Sequence, residues 1–172
     1  MPRCRLSSSS FLLVLAFLFA PASAQGQALN NRPKLGVAFN GVLSSTEGLG
    51  VGIRGRAAWP MNSDLSLALG TGVTGFILEG RDEATYLIDP QASVIVTLNG
   101  KGDRTPYFIG GIGGIIPVKN RSNADSGPTL HFGIGWVQSL RDTILFYEVN
   151  PAMLVGETEV SFMVPFRIGV IF

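Results

Sequence analysis

Apolar and polar residues alternate with a period of two along almost the whole chain beyond residue 33, in eight segments. Lys34 to Asn40 puts Leu35, Val37 and Phe39 on one face. Gly48 to Trp59 sets Leu49, Val51, Ile53, Ala57 and Trp59 opposite Arg54 and Arg56. Leu65 to Leu78 aligns Leu65, Leu67, Leu69, Val73 and Ile77. Thr85 to Leu98 sets Tyr86, Ile88, Ala92, Val94, Val96 and Leu98 against Asp89, Gln91, Ser93 and Thr97. Thr105 to Ile116 carries Tyr107, Ile109 and Ile115, read as opposing a glycine-rich face. Thr129 to Ser139 sets Leu130, Phe132, Ile134 and Trp136 against His131, Gly133 and Gly135. Thr143 to Ala152 sets Leu145, Tyr147 and Val149 against Glu148 and Asn150, and Val160 to Phe172 alternates without interruption.

Between the segments lie two kinds of connection, in strict alternation. Residues 60–64, 99–103 and 140–142 are tight turns. Residues 44–47, 79–83, 118–127 and 156–158 are the loops of the opposite end. The pattern predicts an all-β fold, an eight-stranded antiparallel up-and-down barrel. An even strand count lets the meander close and removes its exposed edges.

Three features turn the apolar face outward, as a transmembrane barrel requires. The segments are long: a tilted strand crosses a membrane with about 9–11 residues, whereas soluble strands average ~5–6. The bulky residues share one face, and the other is rich in Gly, Ser and Thr with a few charges, which suits the narrow lumen of eight strands. With the first strand starting at the periplasmic side, Trp59, Tyr107, Trp136, Tyr147 and Phe172 fall near one rim, the expected aromatic girdle.

Composition refines this picture. Arg3 and Arg5, the apolar run Phe11 to Ala20 and the small residues Ala22-Ser23-Ala24 read as a signal peptide over residues 1–24, cut before Gln25. Cys4 precedes the apolar run and leaves with it, so residues 25–172, the barrel domain, carry neither disulfide nor lipid on cysteine. Charged residues make up 15% of the chain, below the ~25% usual in soluble domains, and the net charge of +1 has no basic run behind it, so nucleic acid is not an expected partner.

The alternating Phe166, Ile168, Val170 and terminal Phe172 resemble the C-terminal strand recognised by the outer-membrane assembly machinery. Residues 106–113 (Pro-Tyr-Phe-Ile-Gly-Gly-Ile-Gly) resemble the Pro-Tyr and alternating-glycine strand of outer-membrane protein A-like and opacity-like small barrels. The resemblance implies residence in the cell outer membrane, with outer-membrane lipid, lipopolysaccharide and the assembly machinery as partners, as a monomer or weak dimer. The loops are short for a receptor or adhesin.

Candidate chemistry is sparse. Arg54, Arg56, Asp89, Gln91, His131, Glu148, Asn150 and Arg167 are assigned to the lumen as a polar network. A last hairpin turning at Glu157-Thr158 would set Glu148 across from Arg167 as an ion pair. Such charges must pair, because an unpaired one costs several kcal/mol. Symmetric pairing about Leu140-Arg141 would set His131, the single histidine, across from Asn150. A lipid A-modifying barrel enzyme needs a His and a Ser as close neighbours with an acid to orient the His, and no Ser-containing motif follows His131. No catalytic residue, cofactor or metal site is therefore expected; Glu79, Asp82 and Glu83 are read as a hydrated loop. The expectation is a non-enzymatic outer-membrane barrel with a structural or envelope-interaction role and a lumen plugged by polar side chains. The alternatives are a lipid A-modifying enzyme and a soluble lipocalin-like carrier of an apolar ligand.

Overall fold

The computed structural model describes residues 32–76, 85–100, 103–118, 126–140, 143–156 and 160–172. The signal segment and its cleavage point lie outside the described residues, as do Glu79, Asp82 and Glu83. Ten strands follow in chain order: β1 (Lys34–Ser44), β2 (Gly48–Pro60), β3 (Leu65–Phe76), β4 (Thr85–Ile88), β5 (Gln91–Thr97), β6 (Arg104–Pro117), β7 (Gly127–Leu140), β8 (Thr143–Val149), β9 (Ala152–Val155) and β10 (Val160–Ile171).

Ten strands make eight crossings. The fourth expected segment is interrupted at Asp89-Pro90 and the seventh at Asn150-Pro151. Proline has no N–H to give to a ladder, so pairing lapses there. The register runs on regardless. Against β3, Val73 pairs with Ile88 and Gly70 with Gln91; against β10, Phe166 pairs with Val149 and Met163 with Ala152. Backbone bonds from Asp89 N to Gly72 O (3.1 Å) and from Asn150 N to Pro165 O (3.0 Å) bridge the gaps. β4 with β5, and β8 with β9, are each one kinked crossing.

Antiparallel pairing of β1 with β10 closes the ring. Stepping from partner to partner, Lys34 leads to Ala58, Ala68, Ser93, Gly111, His131, Ala152 and Met163, and returns to β1 at Ser44. One circuit advances ten residues along β1. With eight strands, ~4.8 Å between strands and ~3.3 Å per residue, that stagger sets a tilt of about 40°.

Leu35, Phe39, Ile53, Leu69, Phe132 and Ile168 point away from the lumen, each more than half exposed. A soluble carrier would turn that face toward its ligand. One strand departs from expectation. In β6, Tyr107, Ile109 and Ile115 face inward at 2, 2 and 6% exposure, while Phe108, Ile112 and Ile116 face out. Both faces of β6 carry apolar residues, so alternation did not discriminate. What decides is space: β7 presents Gly135, where a Cβ would overlap the Tyr107 ring. Tyr107 is accordingly not part of the outer aromatic rim.

The lumen is layered. Near the loop-end strand termini, Val42, Phe76, Leu87, Ile115, Leu154 and Met163 form an apolar cluster. Toward the end bearing Lys34 and Phe172, Ala68, Ile95, Tyr107 and Ile109 form a second. A belt of polar and charged side chains lies between them.

Candidate functional site

Period-two alternation sends every second residue of each strand into the lumen, and small residues opposite the long ones make the belt possible. Gly70 and Gly72 of β3 face the Arg54 guanidinium: a Cβ on either would stand 3.4 Å from a guanidinium nitrogen. β2 therefore projects Arg54 and Arg56 across a wall that has no side chains of its own at those levels.

Glu148 of β8 is the hub. Its side chain is 0% exposed. Oε1 accepts from Arg167 Nη1 at 2.6 Å, and Arg167 is its register partner on β10. Oε2 accepts from Arg56 Nη1 at 2.8 Å and from the Tyr107 hydroxyl at 2.9 Å. The Arg56 guanidinium lies 4.6 Å from the centre of the Phe146 ring, a cation–π contact. Arg167 reaches on, with Nε donating to Asn40 Oδ1 (3.3 Å) and Nη2 to Gln91 Oε1 (3.4 Å). Asn40 Nδ2 in turn donates to Thr74 Oγ1 at 3.1 Å. Arg54 forms its own ion pair with Asp89 at the β4–β5 kink, and Arg54 Nη1 also donates to the Asp89 carbonyl (3.3 Å).

Of the eight residues assigned to the lumen network, Arg54, Arg56, Asp89, Gln91, Glu148 and Arg167 are joined by these contacts. His131 and Asn150 are not. Asn150 is 0% exposed, and neither its Oδ1 nor its Nδ2 has a partner. His131 pairs across the sheet with Ala152 rather than Asn150. Leu140 lies opposite Thr143, which shifts the register by two from pairing about Leu140-Arg141.

His131 does have a serine neighbour, contrary to expectation. Ser93 Oγ lies 2.9 Å from His131 Nε2. The two residues sit on strands flanking β6 and meet across Gly111, the backbone partner of both. His131 Nδ1 has no partner, so the acid that would orient a catalytic imidazole is missing among the described residues. The pair is enclosed, at 2% and 9% exposure.

Asn40, Thr74, Ser93, Tyr107 and Phe146 also build the site and were not assigned to it from sequence. Inward parity was available for Asn40 and Ser93, and for Phe146 by its place next to Tyr147. Tyr107 faces the lumen, opposite to the face its place among the rim aromatics predicts.

Outside the barrel, Trp59 and Trp136 stand at the end bearing Lys34 and Phe172, each 37% exposed, and Phe172 is 75% exposed. Tyr147 pairs with Trp136 across β7 and β8, its hydroxyl donating to Gln138 Oε1 at 2.5 Å. Phe166, Ile168 and Val170 lie on the closing strand, against Gly41, Phe39 and Val37 of β1, and Phe172 N donates to Leu35 O at 2.8 Å.

Among the described residues, one cavity lies on each side of the belt. One of about 30 Å³ lies under the loop-end cluster, beside Thr74, Asp89, Gln91 and Thr129. Asp89 Oδ1 and Thr129 Oγ1, both without a partner, belong to residues lining it. The other, of about 420 Å³, lies at the end bearing Lys34 and Phe172, with Arg56 and Tyr107 in its wall.

No protein-family model matches the sequence, and no curated protein sequence matches it significantly. The fold is similar to solved structures. Neisserial surface protein A superposes with a TM-score of 0.64 at 16% identity, over 81% of this chain and 94% of that one. The N-terminal β-barrel domain of Pseudomonas aeruginosa OprF gives 0.53 at 15% identity, over 82% and 98%. The outer membrane enzyme PagL gives 0.52 at 13% identity, over 78% and 97%. The chain has the fold of the small eight-stranded outer-membrane β-barrels.

Proposed function

We propose that the chain is a non-enzymatic integral protein of the outer membrane, a barrel with a structural or envelope-interaction role whose lumen is plugged by its own side chains. The observation that carries this reading is Glu148, held at 0% exposure by Arg56, Arg167 and Tyr107 between two apolar clusters. Charges buried this way stabilise the barrel only when fully paired. The outward apolar face supports contact with lipid, and the shared fold supports the outer-membrane address. In this reading residues 1–24 direct export, the C-terminal strand ending at Phe172 engages the assembly machinery, both strand termini lie on the periplasmic side, and the loop end meets lipopolysaccharide. The barrel works as a monomer or weak dimer. Membrane fractionation tests it: the protein should be recovered with the outer membrane and run faster unheated than boiled on a detergent gel. Release in the soluble periplasmic fraction would defeat it.

A second reading, a lipid A-modifying enzyme, is favoured by one contact, Ser93 to His131, and by similarity of fold to PagL. The missing acid and the enclosure of the pair weigh against it. Mass spectrometry of lipid A from cells with and without the protein decides between them. Any change in acylation that Ser93→Ala abolishes would establish the enzyme.

A further inference from the structure

The cavity of about 420 Å³ has a mixed wall. Ile95, Val137 and Ile144 supply apolar surface, while Ser66, Thr97 and Thr105 supply hydroxyls. Lys34 stands in its lining at the first residue of β1, and Arg56 lines it where it meets the polar belt. Asp64 and Asp103 sit on turns of the same end but are not among the residues lining it.

The belt's charge count is uneven. Among the described residues it holds three guanidiniums, Arg54, Arg56 and Arg167, against two carboxylates, Asp89 and Glu148. Arg54 takes Asp89, and Arg167 takes Oε1 of Glu148. Arg56 is left to share Oε2 with the Tyr107 hydroxyl. It is also the most accessible of the three, with 11% of its side chain exposed against 5% for Arg54 and 3% for Arg167. The most accessible guanidinium of the belt is thus the one that lines the large cavity. A guanidinium offers five N–H donors in a fork that matches a carboxylate, and this one also lies over the Phe146 ring, 4.6 Å from its centre.

We infer that this cavity is a binding site for a small amphiphilic anion, a carboxylate head on a short apolar tail. The head docks on Arg56, with Lys34 reinforcing the positive field, and the tail lies along Ile95, Val137 and Ile144. Pockets of this size and mixed lining in barrel mouths are where ligands bind. The site goes beyond the structural role proposed above. It shares with that reading only Arg56, which stands in the cavity wall whether or not the lumen conducts.

The test is a titration of the barrel in lipid nanodiscs with hexanoate at constant ionic strength, followed by backbone amide NMR. Expected are saturable shifts at Ser66, Thr97 and Thr105, with acetate binding at least fivefold and neutral hexanamide at least tenfold more weakly. Ala58→Leu, which narrows the cavity and leaves every charge in place, should weaken hexanoate at least tenfold; Lys34→Ala, at the strand start, should weaken it two- to threefold. Absence of saturable shifts overturns the inference. So does equal binding of hexanamide or acetate, or an Ala58→Leu barrel with unchanged affinity. If Ala58→Leu fails to fold, the three probes on the native barrel and the Lys34→Ala affinity still decide it. An ion-conducting lumen would defeat the plugged reading and leave hexanoate binding intact, so the two failures are separable.

Discussion

Glu148→Gln removes one charge from the middle of the barrel and preserves its shape. Glu148 sits 2.6 Å from Arg167 Nη1, 2.8 Å from Arg56 Nη1 and 2.9 Å from the Tyr107 hydroxyl, with none of its side chain exposed. Water cannot replace what the substitution takes away. Breaking a buried ion pair by removing one partner costs about 3–5 kcal/mol, because the other charge stays buried. Here two guanidiniums lose their counterion. Arg167, 3% exposed, bears the full penalty, and Arg56, which keeps 11% through the adjoining cavity, bears part of one. The expected loss is therefore near the upper end, about 5 kcal/mol. Arg167→Met in the same chain should restore about 2 kcal/mol, since the stranded charge goes with it. The assay is urea unfolding in lipid vesicles, read from gel mobility and from the fluorescence of Trp59 and Trp136. A loss below about 1 kcal/mol, the scale of an exposed pair, would refute the reasoning. So would a double variant no more stable than the sum of its parts.

Other outcomes follow from the same coordinates. Tyr107→Phe removes one bond to a buried carboxylate and should cost about 1.5–3 kcal/mol in that assay; a lipid-facing Tyr107 would lose well under that. Gly135→Ala should block folding or cost several kcal/mol, because a Cβ there overlaps the Tyr107 ring, whereas Gly55→Ala, which meets nothing, should fold like the parent; refolding yields of the two variants make the comparison. Phe132→Arg, on the outer face at 65% exposure, should cost about 2–4 kcal/mol in vesicles. A neutral result would mean that Phe132 does not face lipid.

Alternation carried the fold. In β10 large apolar residues take every second position, at Phe162, Val164, Phe166 and Ile168, and the barrel closes through that strand. It failed in β6, because Tyr107 and Phe108, and again Ile115 and Ile116, put bulky residues on both faces; only the glycine opposite resolves them. The interruptions at Pro90 and Pro151 were written in the sequence as prolines inside segments read as continuous. The Glu148–Arg167 register could be read because both residues sit on adjacent strands of one hairpin. The Ser93–His131 contact could not. It joins non-neighbouring strands across Gly111, and its geometry depends on two hairpin registers and the tilt together. The sharing of Glu148 between Arg56 and Arg167 spans the lumen from β2 to β8 and β10, and it too depends on the closed ring.

Single-channel recording in a planar bilayer tests the central claim most directly. A lumen blocked at Glu148, Arg56 and Arg167 predicts a baseline without steady openings across the voltage range, and openings that emerge only when the belt is disrupted, as in Glu148→Ala with Arg167→Ala. Steady, large openings of the unaltered barrel would contradict it.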